Sequence, residues 1–198
     1  MTPVNSKDVV TLREKTGLGM MDCKRALEAT DGDFDKAIEY LRKKGIAKGE
    51  ARIGRTAGEG IIHSYIHPGA RIGVLIEVGC ETDFVARSED FQRLVHDLSM
   101  QVAATAPIAV RREDIPAEKI ERELEIYREQ IRTEGKPEQI IEKIAHGKLE
   151  KYYQDVCLLE QNFVKDQKVK VGDYVLEIAG KLKENIQVRR FARFVLGD

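Results

Sequence analysis

His63 and His67 are the residues that most resemble metal ligands, and their setting argues against that role. Four apart in the chain, they would share an ion on a helix. The alternating sequence around them reads as a strand, which carries them about 13 Å apart. Cys23, Cys80 and Cys157 stand far apart without metal-ligand spacing. An odd, sparse set of this kind reads as reduced thiols packed as small hydrophobes, not as a disulfide framework or a nucleophile of the Cys-His type. Gly54 to Gly60 is glycine-rich but lacks the Gly-Lys-Ser/Thr ending of a phosphate-binding loop, and no strand precedes it. It reads as a flexible hinge. Glu89-Asp90 falls in the first turn of a helix, where paired carboxylates answer the helix dipole instead of exchanging protons. His96 and His146 are isolated on helices, and no Ser-His-Asp arrangement stands out. The expectation is a protein with no catalytic site, no metal and no cofactor.

The residues that do raise a question are Asp83 and Phe84. Strand-like sequence from Arg71 ends at Cys80, and a helix signal begins at Ser88. Between them the chain must turn, and it places a charge beside a large apolar ring. An aromatic on a turn cannot count on the core to bury it. With aromatic residues only 6% of the chain and no Trp, a ring in such a place calls for another partner.

The elements around this turn can be read from their periods. Residues 6–45 carry three short helices. Ser6 is the expected cap of the first, and Gly17 and Gly19 break it. The second carries Met20, Met21, Cys23, Ala26 and Leu27. The third, capped by Asp33, has Phe34, Ala37, Ile38 and Leu41 on one face and is expected to stop at Gly45. Residues 46–59, basic and glycine-containing, form the expected linker or a short helix. The period then becomes two: Ile61–His67 and Arg71–Cys80 form strands joined by a Pro68-Gly69-Ala70 turn, with Ile72, Val74, Ile76 and Val78 on one face. Leu75 suggests that the other face is partly covered. Ser88 caps a helix with the stripe Phe91, Leu94, Val95, Leu98 and Val102. A charged helix follows Pro116 (Ile120, Leu124, Tyr127, Ile131). Another follows Pro137, which Gly147 is expected to interrupt. Residues 161–170 read as a loop. A last helix (Val171 to Leu182) leads to a strand in which Ile186, Val188, Ala192 and Phe194 share the apolar face. The expected fold is α+β: an N-terminal three-helix bundle, then a small, about three-stranded antiparallel sheet with helices packed on it. The expected domains are residues 1–55 and 56–198.

Composition sets further bounds. The chain has 198 residues, 42% hydrophobic and 34% charged, with a formal net charge of −1. It is long enough for a sizeable core, and as a whole it is not built to coat nucleic acid. The basic run Arg42, Lys43, Lys44, Lys48, Arg52 and Arg55 would suit a nucleic-acid module, but it reads more simply as a solvated helix end. The leading residues lack the apolar stretch of a secretory leader, and no run of about 18 apolar residues occurs, so the expected setting is cytoplasmic, without a membrane span.

Two long motifs then carry a resemblance. Leu12 to Leu27 reads LREKTGLGMMDCKRAL, and Cys80 to Arg87 reads CETDFVAR. Arg111-Arg112-Glu113-Asp114 and Leu158-Leu159-Glu160-Gln161 extend the match along nearly the whole chain. The sequence resembles the elongation factor Ts family, the guanine-nucleotide exchange factors of elongation factor Tu. It departs at Leu18, where the family usually has Ala, and at Asn162, where it often has Pro. Its length resembles the short form with one core module. The resemblance implies a ubiquitin-associated-like N-terminal bundle that touches the partner's GTPase domain through Arg13, Met20 and Met21. It also implies that Thr82, Asp83, Phe84 and Val85 disturb the partner's magnesium and phosphate site. Phe84 would be the wedge and Asp83 its charged neighbour, with Thr82 and Val85 framing the turn. It implies an exchange factor, not an enzyme, whose partner is elongation factor Tu. Homodimerisation is one way to replace the second core subdomain of long forms.

Overall fold

A computed structural model describes residues 4–198. Met1, Thr2 and Pro3, part of the leading stretch read above, lie outside the described residues. Three helices come first: α1 (Ser6–Thr16), α2 (Met20–Ala29) and α3 (Phe34–Glu50). Their apolar stripes meet in a small core of Val9, Leu12, Cys23, Ala26, Leu27, Ala37 and Leu41. The cap of α1 is Asn5, not Ser6: the Asn5 side chain accepts the Lys7 N–H at 3.1 Å, and Ser6 is already helical. Gly17 ends α1 in a left-handed conformation (φ +66°), with its N–H on the Arg13 carbonyl at 2.7 Å, the αL cap that glycine adopts at no steric cost. Asp33 caps α3 as expected, accepting the Lys36 N–H at 3.1 Å.

The expected stop at Gly45 is overturned. The third helix continues to Glu50 because Gly45 and Gly49 serve packing, not termination. They let α3 lie directly against α8 (Val171–Leu182). A Cβ on Gly49 would overlap the Leu176 carbonyl, and one on Gly180 would overlap the Gly45 carbonyl. Small residues at a helix crossing bring the two backbones into contact.

The main sheet has three strands in the order β1-β2-β5, all antiparallel: β1 (Glu59–Ile66), β2 (Ile72–Cys80) and β5 (Gln187–Val195). The turn between β1 and β2 holds Gly69 and Ala70 at positive φ (91° and 53°). The helix α5 (Glu89–Thr105), capped by Ser88, covers one face, and its stripe Phe91, Leu94, Val95, Leu98 and Val102 is fully buried against Val74, Ile76 and Val78.

The outer face is open. Leu75, expected to be partly covered, is exposed, beside Ile62, Ile66 and Phe194 at 69%, 63% and 65%. Phe194 is there because of a bulge. Glu77 pairs with Arg190 but Val78 pairs with Val188, so Arg189 is the extra residue. One inserted residue reverses the in–out alternation. Ile186 and Val188 stay in the core, Phe191 packs against it, and Ala192 and Phe194 turn outward, contrary to the shared face expected for them.

Between α5 and α8 two long helices form a hairpin: α6 (Ala117–Thr133) and α7 (Glu138–Val156), with their own core of Leu124, Ile131, Ile141, Ala145 and Leu149. Gly147 does not interrupt α7, because it faces open space and nothing competes with the helical hydrogen bonds. The stretch read as a loop at 161–170 contains a small two-stranded hairpin, β3 (Asn162–Phe163) and β4 (Asp166–Lys170). It is held by the buried Gln101, whose amide donates to Asn162 O at 3.2 Å and accepts Val164 N–H at 2.8 Å. A tertiary contact from α5 thus holds the strand pair, where the only local alternation is the short Lys168-Val169-Lys170.

Candidate partner-binding site

The chain turns sharply after β2, and each residue of the turn has a defined place. Cys80 is buried, and its thiol donates to the Thr82 carbonyl at 3.1 Å. Thr82 caps a single helical turn, α4 (Asp83–Ala86), by accepting the Val85 N–H on its hydroxyl at 3.3 Å. Val85 and Ala86 point into the main core. Successive residues on a helix lie about 100° apart, so a turn anchored by Val85 and Ala86 must send Phe84 elsewhere. Phe84 is 81% exposed, the most exposed large apolar side chain among the described residues. Asp83, also exposed, is joined to Arg87 at 2.7 Å.

The turn is braced on both sides. On the far side Ser88 donates its hydroxyl to the Val85 carbonyl at 2.8 Å, and Gln92 donates to the Ala86 carbonyl at 2.7 Å. On the near side the brace comes from the loop after α8. The Glu184 carboxylate accepts the backbone N–H of Glu81 (3.0 Å) and Thr82 (3.1 Å) and the Thr82 hydroxyl (2.6 Å). Glu81 returns the contact by accepting the Asn185 N–H at 2.6 Å. Asn185, itself buried, donates to the Arg55 carbonyl at 2.6 Å. Together with the Arg189 guanidinium on the Ala57 carbonyl at 2.5 Å, this ties the glycine-rich stretch to the core. Sequence reasoning missed Glu81, Glu184 and Asn185. No local signal marks them, since Glu184 acts across 102 positions.

The second group of expected site residues lies on the N-terminal bundle. Arg13 is exposed on α1, and Met20 and Met21 are both exposed at the start of α2. Helix α8 lies between the two groups. Its Gly180 touches α3, and Lys181 sets its ammonium beside Gly17 while pairing with Asp90 in the first turn of α5 at 2.8 Å. Its following loop carries Glu184.

The rest of the polar chemistry is structural. All three cysteines are buried and unpaired. Burial, with Glu184 nearby, pushes the Cys80 thiol up to about 11, and burial beside Glu160 pushes Cys157 up to about 11. At neutral pH such thiols are almost wholly protonated and make poor nucleophiles. His63 turns toward α5, where its ring meets that of His96 edge to face at 5.6 Å. Burial and the neighbouring His96 lower its pKa. Among the described residues no group of three or more His, Cys, Asp or Glu is arranged to hold a metal ion. The two shorter motifs meet in space: Arg112 pairs with Glu160, grips Glu150 through two bonds at 2.9 and 2.8 Å, and lies over the Tyr153 ring at 4.4 Å. They form a clasp at the base of the α6–α7 hairpin.

Fold and turn together define an α+β protein that leaves Phe84 in solvent on a hydrogen-bonded turn. The model of the family described as Elongation factor TS matches residues 49–198. Elongation factor Ts of Moorella thermoacetica is 57% identical over 195 residues, 98% of this chain and 96% of its own. That of Geobacter sulfurreducens is 54% identical over 98% of this chain and 90% of its own length, and that of Desulfosudis oleivorans is 49% identical over the full length of both. The chain belongs to the elongation factor Ts family, and so to the translation elongation factors of protein biosynthesis. No helix among the described residues is long and apolar enough to cross a membrane.

Proposed function

We propose that this chain is a guanine-nucleotide exchange factor that binds elongation factor Tu in its GDP form and speeds GDP release, without itself catalysing a chemical reaction. The observation that carries the reading is Phe84, a large ring left in solvent on a turn that is hydrogen-bonded on both sides, at Glu81 and Thr82 before it and at Val85 and Ala86 after it. A ring held in that way enters a partner's surface with little further ordering cost. Phe84 acts as the wedge at the magnesium and phosphate site of elongation factor Tu. Asp83 adds charge beside it, Thr82 caps the turn, and Val85 anchors it. Arg13, Met20 and Met21 on the bundle (residues 1–55) grip the GTPase domain, and residues 56–198 form the core unit.

Magnitudes limit what the wedge does alone. Moving a two-state site from 1:99 to 99:1 takes about 5.5 kcal/mol of differential binding, while burying one Phe side chain supplies roughly 1.5–3 kcal/mol. The bundle and core must therefore supply the remainder by binding. Reciprocity follows: a factor that weakens GDP is weakened by GDP to the same degree, so the incoming nucleotide expels it. The test is release of a fluorescent GDP analogue from elongation factor Tu. The chain accelerates release, and Phe84→Ala reduces that acceleration several-fold at unchanged melting temperature. Full acceleration by a folded Phe84→Ala protein would falsify the wedge.

The open face of the main sheet favours a second reading, in which two copies of this chain pair. Ile62, Ile66, Leu75 and Phe194 form an apolar surface with no cover in the monomer. A second copy of the same face would bury it symmetrically, as closed homodimers do.

A further inference from the structure

We infer that Glu184 is a positioning residue for the Phe84 wedge, an inference that rests on the exchange reading above. The ladder of β2 ends where the turn begins. Gly79 still pairs with Gln187 and Cys80 with Glu59, and no strand partner follows for Glu81 or Thr82. Their N–H groups point at a place where the sheet has stopped. Glu184 fills it with one carboxylate that takes both N–H groups and the Thr82 hydroxyl. The Glu81 carboxylate reaches back to the Asn185 N–H at 2.6 Å. Two crossed carboxylates thus build one more rung of an antiparallel ladder from side chains.

That rung sets the direction of the wedge. Thr82 is the residue whose hydroxyl caps α4, and the same hydroxyl donates to Glu184. Fixing the Thr82 backbone and rotamer fixes the start of a helix only four residues long. A helix that short cannot hold itself, because it is all termini. Phe84 lies two residues from the clamped amide, with Val85 and Ala86 as the only apolar anchors of the turn. Charge-assisted bonds to backbone N–H groups are the strong kind, and here three converge on one carboxylate. The supporting group comes from the end of α8, the helix whose Gly180 touches α3. The wedge is therefore referenced to the same helix that seats the N-terminal bundle.

A positioning role separates from a merely structural one in kinetics. The experiment measures fluorescent-GDP release from elongation factor Tu across a range of factor concentrations, for wild type, Glu184→Ala, Glu184→Gln, Phe84→Ala and the Phe84→Ala, Glu184→Ala double variant. Thermal melting is measured in parallel. Glu184→Ala is expected to lower the release rate at saturation about ten-fold, on the scale of one lost charge-assisted bond. The half-saturating concentration should shift less than about three-fold, because contacts made only at the strained step affect the maximal rate. Glu184→Gln, isosteric and still able to accept one bond, should fall between the two and covers the case in which the Ala variant does not fold. In the Phe84→Ala background, loss of Glu184 should cost little more, since a positioning residue has nothing left to position. Slowing by Phe84→Ala with normal rates for both Glu184 variants would overturn this inference and leave the exchange reading standing. So would full additivity in the double variant, or a loss confined to half-saturation and melting. If Phe84→Ala is itself silent, the wedge role fails and this inference fails with it; if wild type does not accelerate release at all, the exchange reading fails as well.

Discussion

Gly180 of α8 meets Gly45 of α3 backbone to backbone, close enough that a methyl group on Gly180 would overlap the Gly45 carbonyl. Gly49, one turn further along α3, meets the Leu176 carbonyl in the same way. The join between the N-terminal bundle and the core is thus made by main chain as much as by side chains. Gly180→Ala and Gly49→Ala should each destabilise by about 1–3 kcal/mol, the usual cost of overpacking. Gly45→Ala should differ in sign or size. Its Cβ would meet the Glu177 side chain at 3.4 Å, an ordinary contact, while alanine gains up to about 1 kcal/mol of helix propensity. Urea unfolding midpoints compare the three; an unshifted midpoint for Gly49→Ala would refute the close crossing.

Gln101 is fully buried yet polar, and it donates to Gln161 at 3.0 Å and to Asn162 O while accepting Val164 N–H. Replacing it by Leu keeps the volume and strands the part-buried Val164 N–H and Asn162 carbonyl. Each such group costs about 1–3 kcal/mol. Gln101→Leu should therefore unfold at clearly lower denaturant and speed amide exchange across residues 161–170. Protection there equal to wild type would show that the β3–β4 hairpin stands without Gln101.

Tyr174 supplies a pH signature. Burial, and then the negative charge of Asp97, which accepts its hydroxyl at 3.0 Å, raise its pKa above the ordinary 10.0. Because the folded value lies above the unfolded one, this contribution is fully present below about pH 10 and is lost as pH rises beyond it. The melting temperature should fall along an alkaline limb above pH 10. Tyr174→Phe should flatten that limb while melting lower than wild type at neutral pH. An absorbance titration should lose its last-ionising tyrosine in the same variant. An alkaline limb of unchanged slope in Tyr174→Phe would assign it to other groups.

Phe194 and Ile62 test the pairing of two copies. Each is well exposed on the outer face of the main sheet, so a charge there should leave the fold intact. Phe194→Asp and Ile62→Lys should halve the solution mass seen by light scattering if the faces pair. An equal mass for wild type and both variants excludes this surface as the interface.

Much of the fold was legible because helices and strands announce themselves over short distances. The stripe of α5 from Phe91 to Val102 and the alternation of β2 from Ile72 to Val78 each require only near neighbours. Caps were nearly as readable, although Asn5 outcompeted Ser6 one residue earlier. The errors fall where a distant group changed the local meaning. Gly45 looked like a stop and is a contact. Residues 161–170 looked like a loop and are strands held by Gln101. Ala192 and Phe194 looked inward until one extra residue at Arg189 reversed them.

For the candidate site the division is sharper. Sequence alone determined that Asp83 and Phe84 stand on a turn between strand and helix, that Arg13 lies late in the first helix, and that Met20 and Met21 open the second. It also determined the family, since long motifs in order survive without any knowledge of folding. Only the tertiary structure decided that Phe84 is left outside while Val85 and Ala86 go in. It alone supplied Glu184, 102 positions away, as the acceptor for the amides of the turn. The reason is physical. Periodicity and capping involve residues within about a turn of one another, whereas a stranded backbone N–H at the end of a strand is satisfied by whatever the fold brings beside it.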